Sequence, residues 1–322
     1  MDEPVVRPYR PGDEEQLVSL WNRSLAADPI TLDRLVERVF LDVNFDPEGL
    51  LVAEADCQLV GFFLAVVRRV PLLGLDIEPE QGWIWAFGVS PARRRQGIGH
   101  RLLEAAEQFL RNRRRCQVWV AQYAPNYFFP GVDAEHYPDA KRLLTAAGYE
   151  SSAEVVAMDV HLGEWQGIPA AVERQEEQLA AMGIRVETLT PRWLIPTLQL
   201  AEGFGPDWSR GIREGLLRTG HWERVILARQ ADQVLGYCMY GLYDRPAGRF
   251  GPFGVDPAWR GHGIGKVLLY RCLQHMKAEG LHSAWFLSTS EESPAGHLYQ
   301  EAGFRVSRRF TMMRKQLLAS RT

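Results

Sequence analysis

Residues 87–103 read FGVSPARRRQGIGHRLL, and residues 253–269 read FGVDPAWRGHGIGKVLL. The two segments share Phe-Gly-Val-x-Pro-Ala-x-Arg-x-x-Gly-Ile-Gly-x-x-Leu-Leu without a gap, at an offset of 166 residues. The flanks repeat too. Leu59-Val60-Gly61-Phe62 matches Val234-Leu235-Gly236-Tyr237, and Ala147-Gly148-Tyr149 matches Ala302-Gly303-Phe304. These flanks sit at offsets of 175 and 155 residues, so the halves differ by loop insertions. A period this long describes two complete domains rather than a solenoid. The length of 322 residues agrees, because a single core stops growing at about 250–300. The expected division is a first domain over 1–162, a linker helix within 163–184 and a second domain over 185–322.

Each half has the same order of elements. A strand (5–9; 185–189) leads into a helical region (17–40; 194–218). Two strands follow (50–55 and 58–67; 224–230 and 234–242). A fourth strand (82–89; 249–255) runs into a helix (97–111; 263–278). A strand (117–122; 283–288), a helix (138–147; 294–302) and a last strand (155–161; 310–315) complete the half. This interleaving predicts a mixed α/β sheet. In the linker, residues 170–181 read as a helix that Gly183 stops.

The repeated motif is strand, short turn, Arg-x-x-Gly-x-Gly, helix. Two glycines at a helix start let the backbone approach a ligand. The unpaired N–H groups of that turn and the helix dipole then favour an anion such as a pyrophosphate. Arg94 and Arg260 add positive charge beside the glycines. The alternative for one copy is a turn that serves helix packing only. A Walker loop and the Rossmann G-x-G-x-x-G are both absent, as is Gly-x-Ser-x-Gly.

Arg-x-x-Gly-x-Gly after a strand ending in Val-x-Pro resembles the acyl-CoA-binding motif of the GNAT N-acetyltransferases. The resemblance spans about 5–160 and 185–316. It implies two tandem GNAT-type domains, each a mixed, mostly antiparallel sheet flanked by helices. In that family the fourth and fifth strands splay to admit acyl-pantetheine, and turn amides hold the pyrophosphate. Those amides are here 95–99 and 261–265. The implied cofactor-binding residues are Val89, Arg94, Arg95, Gln96, Gly97, Ile98, Gly99 and His100 in the first half. In the second they are Val255, Arg260, Gly261, His262, Gly263, Ile264, Gly265 and Lys266. The implied reaction is direct acetyl transfer from acetyl-CoA to an amine, with no covalent enzyme intermediate and no metal.

Direct transfer needs a neutral amine, although a free alkylamine has a pKa near ~10. It needs a donor for the developing oxyanion and a proton or hydrogen bond for the departing thiolate. Many family members supply the last from a Tyr in Ala-x-x-Leu-Tyr-x-x-x-Gly-Phe. Residues 295–304 read AGHLYQEAGF, so Tyr299 is the candidate general acid. The first half has Leu144 there. It also spends 47 residues from Gly97 to Leu144, against 36 from Gly263 to Tyr299. The surplus includes Tyr123, Tyr127, Phe128 and Phe129, read as packing, as a cap on the cofactor site, as cover for the second domain or as a source of another Tyr. The expectation is a catalytic second half and a first half that binds CoA or acts as scaffold. The tandem arrangement is similar to that of the mycothiol synthases, whose second domain is the catalytic one.

Strand four offers no carboxylate in either half: the positions are Phe250, Gly251, Pro252 and Trp85, Ala86, Phe87. Candidate bases are Glu291, Glu292, His297, Asp207 and Glu202, each with a surface or capping role as the plainer reading. Asp256, before Pro257, reads as a cap. Trp193, Phe204, Trp208 and Trp222 read as core, with a partly aromatic acceptor site in the second half as the alternative. The alternatives are an acyl-CoA sensor without catalysis, or catalysis in the first half with Tyr123 or Tyr127 as acid.

Net charge is −3, which gives no global drive toward nucleic acid. The basic clusters 93–95 and 111–115 belong to the phosphate turn and to a helix end, where cations suit the dipole. The longest apolar run, about 59–67, is far short of the ~20 residues that span a bilayer. The acidic start Met1-Asp2-Glu3-Pro4 does not read as a signal peptide. Four scattered cysteines without a CxxC predict neither disulfides nor zinc, and so a reducing cytoplasm. No His/Asp/Glu set has metal-ligand spacing. The expected partner is a small-molecule or peptide amine, with no nucleic acid and no membrane. Two fused domains also suit a monomer that mimics a dimer.

Overall fold

The computed structural model describes residues 3–243 and 247–317. Met1, Asp2 and 318–322, which fall in the expected domain spans, lie outside the described residues. The described chain forms two compact units. The first holds residues up to 71, 75–155 and those from 309 on; the second holds 72–74 and 156–308.

In the first unit β1 (Val5–Pro8) leads to α1 (Glu14–Ser24). Glu14 and Glu15 sit in the first turn of α1, where the helix dipole favours anions. Its Leu17, Leu20 and Trp21 are buried. The side chain of Thr31 accepts from Arg34 N and caps α2 (Leu32–Leu35), which continues as one π turn over Val36–Phe40. The hairpin of β2 (Leu50–Ala55) and β3 (Gln58–Val66) turns at Asp56 and Cys57, with φ of 52° and 57°. That left-handed pair matches the twist of the strands it joins. Then come β4 (Gln81–Val89), α3 (Ile98–Asn112), β5 (Gln117–Val120) and α4 (Pro138–Ala146). After them the chain runs through β6 (Glu150–His161) into α5 (Ala170–Ala181), which ends before Gly183 at φ 78°.

The second unit repeats the order. It contains β7 (Ile184–Thr188), α6 (Pro191–Glu202), α7 (Pro206–Thr219), β8 (Val225–Gln230) and β9 (Gln233–Tyr240). It continues with β10 (Phe250–Val255), α8 (Ile264–Ala278), β11 (Ser283–Thr289) and α9 (Pro294–Glu301). β12 (Arg305–Gln316) closes the chain.

The first unit has strand order β1-β2-β3-β4-β5-β12, antiparallel except for β4 and β5. The second has the antiparallel order β10-β9-β8-β7 and a β6–β11 pair. The closing strands are thus crossed over relative to the sequence repeat. Residues 156–161 of β6 pair with β11, while Arg314 of β12 pairs with Trp119 of β5.

Both units have the splayed strand pair. β4 and β5 pair in parallel only from Gln81↔Gln117 to Ile84↔Val120, although β4 continues to Val89. β10 and β11 share a single flanking bridge, Arg249↔Trp285. The sequence predicts strand 117–122, but the strand stops at Val120. Ala121 and Gln122 take φ of 62° and 50°, which no strand residue adopts. The last strands are longer than expected because their outer residues are polar and exposed, so alternation does not mark them.

In the first unit one sheet face packs on α3 and α4 and the other on α1 and α2. In the second, one core lies under α5, α8 and α9 and another under α6 and α7. The second core includes Trp193, with Phe204, Trp208 and Trp222 packed against it, as their reading as core expected. The second basic cluster is used locally. Arg113 stacks 3.7 Å from the Phe109 ring and pairs with Asp46, and Arg115 is buried on the Arg68 carbonyl. Cys238 and Cys272 are buried, and all four thiols are free. Among the described residues no helix is long and apolar enough to cross a membrane.

Candidate active sites

The two phosphate turns have the same backbone. After the strand, the turn residues Arg95 and Gly97 take φ of 63° and 78°; Gly261 and Gly263 both take 83°. Alternating left-handed residues before a helix point successive N–H groups into one concavity, a nest for an anion. Gly97 and Gly263 begin α3 and α8, and neither helix start has a side-chain cap. The first-turn N–H groups therefore remain for a ligand. Arg95 holds this conformation without the freedom of glycine, at a cost of about 1–2 kcal/mol.

Arg94 and Arg260 are tied back to their own strands. Each Nε donates to a strand-end carbonyl, Val89 O and Val255 O, at 3.3 Å. Arg94 also donates through Nη2 to Ser24 O at 3.2 Å and lies 3.9 Å from Asp139. Asp256 caps Ala258 N at 2.9 Å, as a turn residue should.

In the first unit the turn opens into a cleft of about 760 Å³. Val89, Arg94, Arg95, Gly97, Ile98, Gly99 and His100 line it; Gln96 is exposed and lies outside the lining. Deeper in, a narrow apolar cavity of about 40 Å³ lies where β4 and β5 part, between Ile84–Phe87 and Val120–Ala121. Leu25, Phe87, Tyr137 and Ala140 line both spaces. A long, mostly apolar arm with an anionic head fits this shape, and a Cβ at Gly97 meets nothing within 4 Å.

Leu144 is fully buried in the core, with no polar group to offer. The insertion packs, as one of its readings held. Tyr123 is fully buried, its hydroxyl donating to Asp42 Oδ1 at 2.9 Å and accepting from Asn44 Nδ2 at 2.8 Å. Asn126 Nδ2 donates to Asp42 Oδ2 at 2.6 Å, and Phe128 stacks edge-on to Trp21. Burial pushes the Tyr123 phenol well above its ordinary range.

In the second unit Tyr299 lies between the parted strands. Its ring is 4.5 Å from Phe286 of β11, 5.9 Å from Phe250 of β10, and 6.2 Å from Phe253 (centroid to centroid). It is 8% exposed, and its hydroxyl has no hydrogen-bond partner among the described residues. Burial pushes this phenol up as well. Of the residues expected beside it, Glu292 and His297 are exposed. His297 precedes Tyr299 by two positions on α9, a spacing that turns the two side chains to different faces. Asp207 is engaged by Arg210 at 2.9 Å and by the Tyr243 hydroxyl; Glu202 accepts from Arg213 at 3.3 Å.

Of the other residues named for the second half, Val255 ends β10, Arg260–Gly263 form the turn, and Ile264, Gly265 and Lys266 open α8. Ile264 is buried, His262 is exposed, and Lys266 pairs with Glu301 at 2.6 Å. α5 reaches this turn: Gln175 Nε2 donates to His262 O at 3.1 Å. A Cβ at Gly263 would sit 2.6 Å from Gln175 Cδ.

The acetyltransferase (GNAT) family model matches residues 15–127 and 191–304, one match per unit. The chain belongs to the GNAT family. As a GNAT protein it is an acyl-CoA-dependent N-acetyltransferase with two GNAT domains. The mycothiol acetyltransferase of Actinosynnema mirum is 36% identical over 267 residues, covering 79% of each chain. Two solved structures share the fold at low identity. A GCN5-related N-acetyltransferase from Sphaerobacter thermophilus has a TM-score of 0.70 at 19% identity, over 98% of this chain and 96% of its own. A tandem GNAT protein from the clavulanic acid biosynthesis pathway has 0.64 at 18%, over 98% of each chain.

Ser24, Asp133 and His136 were missed in the sequence, and all three border the spaces of the first unit. Their types carry no motif; only the fold brings them to one cleft.

Proposed function

We propose that the chain acetylates the primary amine of a small molecule from acetyl-CoA, with the chemistry in the second half (185–322) and Tyr299 as general acid. The observation that carries this reading is the buried phenol between β10 and β11 with an unpartnered hydroxyl. The thioester sulfur belongs at that gap when the pyrophosphate lies on the amides of 261–265. The neutral amine attacks the acetyl carbonyl carbon, and the Tyr299 hydroxyl donates to the departing thiolate. A phenol whose pKa is raised by burial keeps its proton at neutral pH and so remains a donor. Strand four carries no carboxylate, so the proton freed from the amine passes to solvent, to which Glu292 and His297 are exposed.

The mycothiol acetyltransferase relatives support a small, polar amine rather than a protein lysine as acceptor. The 760 Å³ cleft supports a second acetyl-CoA in the first half (1–162), held by the amides of 95–99. The segment 163–184 joins the halves and lends Gln175 to the second turn. Such an enzyme works where acetyl-CoA is made, in the cytoplasm.

Tyr299→Phe tests the assignment, because it removes the donor and keeps the ring. The expected result is a kcat lower by about 10²–10⁴, with acetyl-CoA affinity by calorimetry unchanged. Unchanged turnover removes Tyr299 from the reaction.

A further inference from the structure

We infer that the first unit is a second acyl-transfer centre in its own right, with His136, held by Asp133, as its proton acceptor. The inference rests on the reading of the first cleft as an acyl-CoA site. The insertion between β5 and α4 brings both residues. Asp133 is only 3% exposed. Its Oδ1 accepts from Glu135 N and His136 N, each at 3.0 Å, and its Oδ2 lies 2.8 Å from His136 Nδ1. A carboxylate only accepts, so Nδ1 carries a proton, and in the neutral ring Nε2 then has the lone pair. Nε2 has no partner among the described residues. This is the arrangement that orients an imidazole as a base.

The pair spans both spaces of the site. His136 lines the outer cleft together with Arg94 and Gly97, and Asp133 lines the inner cavity where β4 and β5 part. A second polar group there also lacks a partner: Ser24 Oγ is buried, with the residue 4% exposed, and lines the cleft. A buried hydroxyl left unpaired is costly unless a ligand completes it.

The step is direct transfer to a small primary amine. His136 Nε2 takes a proton from the ammonium group. The nitrogen bonds the acyl carbonyl carbon and the carbon–sulfur bond breaks. The thiolate recovers a proton from the imidazolium, and one of the two protons left on the nitrogen leaves to water, so that the amide keeps a single N–H. One imidazole thus does the work that Leu144 cannot.

The test uses the full chain carrying Tyr299→Phe, acetyl-CoA and n-butylamine as a simple primary-amine probe. Release of CoA thiol is followed. The expected result is residual release that His136→Ala lowers by about 10²–10⁴ in kcat, with KM for acetyl-CoA unchanged. Added imidazole restores part of it, which a merely structural role would not allow. Asp133→Asn lowers the same release by about tenfold or more, as loss of the positioning partner. Release from Tyr299→Phe no faster than the uncatalysed rate, or release indifferent to His136→Ala, overturns the inference. Gly97→Glu separates this from the cofactor reading: calorimetric binding of acetyl-CoA unaltered by it removes acyl-CoA from the first cleft, and the second centre with it.

Discussion

Position 97 shows what one glycine does for each copy of the turn. Its φ of 78° is left-handed, and its Cβ direction is open. Gly97→Glu should therefore fold, at a cost of about 1–2 kcal/mol for the backbone. The new carboxylate stands before the uncapped amides of α3, where a phosphate would lie. Calorimetry should show acetyl-CoA binding to the first unit weakened at least about tenfold, and unchanged binding would mean that this turn holds no phosphate. Gly263→Glu is a less clean probe, because its Cβ lands 2.6 Å from Gln175 Cδ and displaces the contact with His262 O. Calorimetry on that variant reads α5 as well as the ligand. At this scale the sequence was informative where side-chain identity decides: Tyr299 against Leu144, glycine at the turn. It was silent on Asp133 and His136, since a hydrogen bond from Nδ1 to a buried carboxylate depends on a loop conformation that no local pattern encodes.

The repeat told which elements form and in what order, and the linker helix ran over the expected residues 170–181. It did not tell which strands pair. Alternation marks a strand and its buried face, but two related closing strands carry equivalent patterns and either satisfies either sheet. The structure uses the exchange. β12 lies on β5, Val132 bridges Thr311, and Lys315 reaches Glu107 at 2.7 Å. Met313 and Leu317 are buried in the core under α3 and α4. Truncation after Arg308 should therefore damage the first unit although it removes the end of the chain. It bares the edge of β5 and deletes three buried side chains, Phe310, Met313 and Leu317, each worth about 2–5 kcal/mol. Hydrogen exchange should show protection lost in β5 and α3 while β8 and β9 keep theirs. Loss confined to β8, β9 and α8 would refute the exchange.

Across the whole molecule, buried phenols set the alkaline limit of stability. Tyr123 and Tyr149 in the first unit, and Tyr237, Tyr240 and Tyr299 in the second, all have pKa values raised chiefly by burial. Above about pH 10 these phenols ionise in the unfolded chain but stay protonated in the folded one. The folded state then binds more protons than the unfolded state, so stability falls as pH rises. Below that pH both states are neutral at these groups and their contribution is flat. Urea midpoints should hold steady from pH 8 to about 9.5 and drop at pH 11, with the phenolate absorbance of these five groups appearing only as the protein unfolds. Lysines and thiols also titrate in this range, so Tyr149→Phe supplies the control. Its hydroxyl is buried without a hydrogen-bond partner, so the loss of the oxygen should be nearly neutral or stabilising at pH 8. At pH 11 the same variant should be more stable than the parent, by up to about 1.4 kcal/mol for each unit of pH above 10, because one ionisation that favours unfolding is gone. Equal alkaline losses in parent and variant would assign the limit to other groups.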